Sequence, residues 1–440
     1  MRIRSFFLVF ALAAGTAVAL SGGGTAVASL GGRAAVALFG GGTAFALAGG
    51  RAPGADHPER IVSKRIRILA PERYQQLRGE WEAYTKSHPT DPLGWTELAK
   101  ASRYADVPCK EYIRLAQKAV ELDPNYADGL ATLGGNRWCV YCPGEPTDPG
   151  EAIKLLERAL TLDPKSGEPH YTLWVMKLSR GDRAGAEEHL RALLNGGHIA
   201  EPLVDLAHNF LVGLEPNAVL VTNGDNDTYP PLALQAARGF RADVAVVNVN
   251  LLNLDWYREH LRTGPWKVPV PEPAADVDGP ASPSVLRDLV ARLEREKRPL
   301  YFAVTVDLDS YTVPGVLSLE GVVLRALPGE EGERRIDGAA LARNMEGAYR
   351  LDSAMSLGID WTSNSAIRGL MPNYAIAYAR LADARATGGD RDGARRAMER
   401  SMALCEFHNL NELGAGLAGT WFAWDPDSPE PRRWHERFTK

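Results

Sequence analysis

The sequence predicts a chain of α/β plus all-α class, with a small parallel sheet flanked by helical hairpins. Three observations carry this. Short Val-rich apolar runs, bounded by Gly, Asn and Asp, recur between Ala218 and Leu327. Before them, Glu121-Leu-Asp-Pro124 and Thr161-Leu-Asp-Pro164 punctuate an Ala- and Leu-rich stretch as near-copies. After Ile336 a helical pattern returns. With 45% hydrophobic and 24% charged residues over 440 positions, the composition is that of globular domains with ample core material. A net charge of -5 offers no broad basic face, so nucleic acid is not an expected partner.

Residues 1–50 are set aside from the fold. Met1-Arg2-Ile3-Arg4 precedes the apolar run Phe6 to Leu20, and A-x-A sites follow at Ala17-Val18-Ala19, Ala26-Val27-Ala28 and Ala46-Leu47-Ala48. That is the pattern of a signal peptide, here continued by Gly/Ala-rich near-copies of a nine-residue unit. The expectation is export, periplasmic or secreted, with an uncleaved amino-terminal anchor as the alternative. Past this segment no apolar run is long enough to span a bilayer, so no multi-spanning membrane region is expected. In an exported protein Cys109, Cys139 and Cys142 are disulfide candidates, their connectivity left open.

Residues 60–200 begin with a polar, weakly helical stretch from Arg60 to Ser87. Trp95, Leu98 and Ala99, then Ala116, Ala119, Leu122 and Pro124, set a rhythm that Leu130, Leu133, Gly134, Ala152, Leu156, Ala159, Leu162 and Pro164 repeat. A third unit carries Tyr171, Leu173, Gly181-Asp182, Ala184, Ala186 and Leu190. This resembles the tetratricopeptide repeat, where small residues let paired helices approach. The wider spacing of the second unit places an insertion at Trp138 to Pro149. The resemblance implies a docking surface for an envelope protein partner; so short an array offers little groove, and a helical spacer is the plainer alternative.

Residues 214–330 form the α/β part. Ala218 to Thr222 and Val244 to Val249 read as buried parallel strands around a crossover helix from Tyr229, capped by Asp227 or Thr228 with Pro230 and Pro231 in its first turn. A short helix Asp255 to Leu261, a Pro-rich linker Pro265 to Pro283, an amphipathic helix Ser284 to Lys297, and strands at Pro299 to Val306 and Gly321 to Leu327 complete a small Rossmann-like sheet. In residues 336–440, Tyr374, Tyr378, Leu381, Ala382, Gly389-Asp390, Ala394 and Ala397 predict one more repeat-like hairpin.

Ligands of parallel sheets sit beyond the carboxyl ends of the strands, which makes Asn223, Gly224, Asp225, Asn226, Asp227 and Thr228 the candidate binding loop. Asn248, Asn250 and Asn253 end the second strand, and Thr305 with Asp307 ends the third. Asp225 and Asp227 match the D-x-D spacing that holds a divalent cation, Mg, Mn or Ca, with Asn223 and Asn226 as further oxygens; beyond that metal no cofactor is indicated. The competing reading makes these residues caps and turns, with Asp307 and Asp309 as solvated turn residues. The loop lacks the Gly spacing of dinucleotide and phosphate loops. His208 and His260 belong to no nucleophile pattern, and Trp256 and Tyr257 suit burial against the sheet or stacking on a sugar ring.

The loop Asn223 to Thr228, the stretch Phe240 to Asn248, Leu251 to Tyr257, Tyr301 to Thr305 and Leu319 to Arg325 together resemble the soluble carboxy-terminal part of bacterial membrane glycosyltransferases of the protein O-mannosyltransferase-like family (glycosyltransferase family 117-like). The likeness covers about residues 217–404. It implies a cell-envelope setting and a glycan or sugar-phosphate ligand, while the family's transfer chemistry belongs to a membrane part absent here. The expected function is a non-catalytic scaffold or ligand-binding module; the alternative is a metal-dependent enzyme acting on a sugar or phosphate substrate at the Asn223 to Thr228 loop.

Overall fold

The computed structural model describes residues 56–138, 148–273, 280–311, 313, 315–330, 332 and 334–440. They fall into two compact units, one within Gly42–His198 and one within Ile199–Lys440.

The first unit is helical. α1 (Pro71–Ser87), α2 (Pro92–Tyr104), α3 (Cys109–Leu122), α4 (Ala127–Arg137), α5 (Pro149–Leu162), α6 (Glu168–Ser179) and α7 (Arg183–Asn195) follow one another. Side chains of Asp91, Asp148 and Asp182 cap α2, α5 and α7 by accepting backbone N–H groups of the first turn. Each helix packs on the next, and α2 also touches α4 as α4 touches α6, so the hairpins stack. Small residues permit this. Ala99, Ala116 and Ala152 are wholly buried, and a Cβ on Gly134 would lie 2.8 Å from Leu156. Cys109 is disulfide-bonded; Cys139 and Cys142 lie outside the described residues.

The stretch expected to be polar and weakly helical is two things. Buried Tyr74, Leu77, Trp81 and Thr85 repeat at helical spacing and make α1 a full element. Before it, residues 57–69 are mostly non-helical, with one turn where Ile66 and Arg67 N–H bond the Ser63 carbonyl. This strip lies along α2, α4 and α6, touching each.

The second unit opens with α8 (Glu201–Val212), β1 (Val219–Thr222), α9 (Asp225–Arg238), β2 (Ala245–Asn248), α10 (Asp255–Thr263), α11 (Ser282–Arg295) and β3 (Leu300–Ala303). β4 (Val316–Leu319), β5 (Val323–Leu327), β6 (Arg335–Ile336) and short α12 (Gly338–Arg343) and α13 (Ser365–Arg368) follow. α14 (Pro372–Thr387), α15 (Arg391–Phe407), α16 (Asn411–Trp424) and α17 (Glu430–Thr439) end the chain.

The sheet order is β2-β1-β3-β5-β4-β6. β2, β1 and β3 are parallel, as expected, and every residue in them is buried, so both faces are covered. The expectation of a wholly parallel sheet is corrected beyond β3, because β5 runs antiparallel to both β3 and β4. The β4–β5 link is only Glu320 to Val322, with Gly321 at φ 126°, and so short a turn joins antiparallel strands alone. Gly321 is also where Tyr349 closes in, leaving no room for a Cβ.

Polar ties hold this unit's parts together. Buried Asn209 of α8 donates to the Arg350 carbonyl at 2.7 Å and to the Tyr374 hydroxyl at 2.8 Å, and accepts from Arg350 N–H. Arg241 donates to the carbonyls of Leu211, Leu214 and Glu215 at the end of α8, and its pairing with Asp243 pulls that carboxyl down to about 2. α14 and α15 form the expected hairpin. Among the described residues no helix is long and apolar enough to cross a membrane.

Candidate functional site

The site is built where β1 runs into α9. α9 begins at Asp225, a turn earlier than expected from Tyr229, with Gly224 in extended backbone as its N-cap. Pro230 and Pro231 therefore sit in the second turn, where neither has an N–H to donate to the carbonyl four residues back. Asp227, at the third helical position, reaches back over the helix start: Gly224 N–H bonds one oxygen at 2.7 Å and Asn223 N–H the other at 2.8 Å. This is the acidic half of a capping box. The Thr305 hydroxyl, from the end of β3, also donates to Asp227. Asp227 is 3% exposed; burial pushes its carboxyl above the ordinary range, against the pull of these donors.

Around this tie the strand ends are laced together. Thr228 and Thr222 hydroxyls lie 2.7 Å apart, and Asn248 at the end of β2 donates to Thr228 at 2.9 Å. The Asn248 side-chain oxygen Oδ1 accepts from the backbone N–H groups of Asn250 and Leu251, while its backbone N–H bonds the buried Tyr257 hydroxyl. Asn250 returns to Asn223, donating to its carbonyl, and the Asn253 side chain accepts from Ser282 N–H at the start of α11. Asn223, Asp227, Thr228, Asn248, Asn250 and Thr305 thus do converge on one rim.

The two acids of the D-x-D pair take different places. Side chains two apart on a helix do not face each other, and here Asp225 is exposed at the first helical position whereas Asp227 points into the protein with both oxygens engaged. The two carboxylates do not converge on one cation. Among the described residues no cluster of three His, Cys, Asp or Glu is arranged to hold a metal.

The remaining candidates have structural places. Asp307 accepts from Asp309 N–H and from Ser310, a local turn, and Asp309 pairs with Arg334 at 3.1 Å. His208 stacks on Phe240 with ring centres 4.8 Å apart, and burial lowers its pKa. Tyr257 is buried, its hydroxyl pinned by β2, and Trp256 meets it edge-on. Sequence reasoning missed Thr222 and the role of Tyr257; a Thr closing an apolar strand just before Asn223 was the available signal. A cavity of about 320 Å³ opens beside β4, lined by Leu308, Asp309, Tyr311, Gly315, Leu317 and Arg334, and none of the rim residues lines it.

Against known proteins, TMEM260-associated domain 2 matches residues 203–270. The match covers α8 through α10, and so the rim contributed by β1, α9 and β2. No curated protein matches the sequence. Two solved structures, titled "Crystal structure of MamA" and "Crystal structure of MamA protein", are each 17% identical. They cover 40% and 39% of this chain and 90% and 77% of theirs, with a TM-score of 0.26 in both cases, too low to bear on function or fold.

Proposed function

We propose that this chain is an exported cell-envelope protein that works by binding, a non-catalytic scaffold. Its first unit is a tetratricopeptide-like array, and its second holds a small Rossmann-like domain related to the soluble part of protein O-mannosyltransferase-like membrane glycosyltransferases. The observation that carries the non-catalytic reading is the placement of Asp227. A carboxylate able to serve as metal ligand or general base must be open to its partner; this one is buried and bonded by Asn223, Gly224 and Thr305. The stacked hairpins α2 to α7 support a docking role.

Calorimetric titration of Mg²⁺, Mn²⁺ and Ca²⁺ into the full chain tests this reading, with Asp225→Asn and Asp227→Asn as controls. The expected result is no saturable heat. Binding abolished in the variants would replace the scaffold with a metal-dependent site. Fractionation of cells expressing the chain tests export, and recovery of the protein in the cytosol would sink that part.

A further inference from the structure

The strip ahead of α1 is seated as a ligand would be. Arg60 donates through Nε and Nη2 to Glu97 of α2, at 3.2 and 3.1 Å, and through Nη2 to Asp128 of α4 at 2.6 Å. The next N–H, that of Ile61, bonds the other Glu97 oxygen at 2.6 Å. Ile61 itself enters the apolar cluster of Leu77, Trp81 and Leu98. Five residues after Arg60, Arg65 pairs with Glu168 of α6 at 2.5 Å and lies 4.2 Å over the ring of Tyr171. Three stacked helices thus contact one segment, which ends in a turn: arginine, an apolar residue, three further residues, arginine.

The recognition is chemically selective. The Glu97 side chain is wholly buried, and within the array it has Lys100 at 3.0 Å as its other cation. A vacated groove would leave that carboxylate short of a guanidinium and an N–H, a costly state, so one occupant must be replaced by another of the same kind. The outer ion pairs of the strip are of the exchangeable sort, whereas Ile61 is buried in the apolar cluster and Glu59 ties the strip to Arg73 and Trp81 of α1. Arg60 is half exposed, Glu168 is 53% exposed, and Ile66 and Ile68 of the strip face solvent, so salt screens its ion pairs.

We propose that the face of α2, α4 and α6 is a peptide-binding groove selective for a partner segment of the form Arg-apolar-x-x-x-Arg, and that residues 57–69 are its resident competitor. This rests on the scaffold reading and names the partner's chemistry. The partner is an arginine-bearing peptide because Glu97, Asp128 and Glu168 supply the complementary charge at matching positions.

The test uses the full chain and a fluorescein-labelled synthetic peptide of residues 57–69. Wild type is expected to bind it weakly, and the Arg60→Ala/Arg65→Ala chain, its resident segment loosened, about tenfold more tightly or better. Adding Asp128→Asn and Glu168→Gln should remove the gain, as should replacing both arginines of the peptide by alanine, with circular dichroism showing each variant folded. Equal binding by wild type and the loosened chain, or binding indifferent to Asp128 and Glu168, overturns the proposal. So does concentration-dependent dimerisation of wild type abolished by Arg60→Ala/Arg65→Ala, which would make a second copy the occupant. Failure of the peptide to bind any variant, with metal titrations still silent, removes the groove and leaves the scaffold reading standing.

Discussion

The groove of the helical unit and the rim of the sheet unit are both polar networks, yet they are made from different chemistry. At the groove, Arg60, Glu97, Lys100 and Asp128 are charged, and the strip's half of the contact is partly in water. At the rim, Thr222, Thr228, Asn248 and Thr305 are neutral and buried, with one carboxylate held mainly by backbone amides. The first arrangement suits exchange of one segment for another. The second fixes three strand ends and the start of a helix in a single geometry.

The largest expected effect lies at the rim. Asp227→Ala leaves the Asn223 and Gly224 N–H groups and the Thr305 hydroxyl without their acceptor, and should cost about 3 kcal/mol of stability in urea unfolding. A loss under about 0.5 kcal/mol would show the rim to be open to water. Raising the salt should leave that loss nearly unchanged, because no ion pair is involved. Arg60→Ala, which leaves buried Glu97 with Lys100 and the Ile61 N–H, should cost less, about 2 kcal/mol, and the solvent-exposed part of that cost should shrink at about 1 M salt. Equal salt sensitivity at both sites would erase the contrast.

Acid affects both units. Burial holds His170 of α6 and His408, beyond α15, down to about 4, while the unfolded chain titrates near the ordinary histidine value. Between those values the unfolded chain takes up protons that the folded chain does not. Stability should therefore fall as pH drops from about 6.5 toward about 4. His189 of α7, bonded to His170 at 2.9 Å, and His208 are lowered by burial as well, so His170→Asn should make this slope shallower without abolishing it; an unchanged slope would contradict the assignment. The smallest effect is expected of Asp225→Asn, which loses only a favourable charge at a helix start, about 0.5 kcal/mol.

The parallel core of the sheet was legible in the sequence because β1, β2 and β3 are fully buried and so read as unbroken apolar runs. The convergence of Asn223, Asn248 and Thr305 followed from strand ends alone. What failed did so for physical reasons. The antiparallel β4–β5 pair was hidden because its three-residue turn hinges on one glycine, Gly321. The start of α9 was misplaced because two prolines, usual in a first turn, here stand in the second. Asp225 and Asp227 looked like a metal pair in sequence, and only the helix between them turns one outward and one inward. The seat of Arg60 and Arg65 could not be read from local pattern, since their acidic partners lie 37 to 103 positions away.

Hydrogen exchange followed by mass spectrometry tests the contrast most directly, comparing peptides that contain Ile61 with peptides that contain Asn223 and Gly224. From low ionic strength to about 1 M salt, where screening acts within about 3 Å, exchange at Ile61 should quicken and exchange at Asn223 and Gly224 should stay as slow as in β1. Rim amides that exchange freely at low salt, or that respond to salt as Ile61 does, would contradict the account.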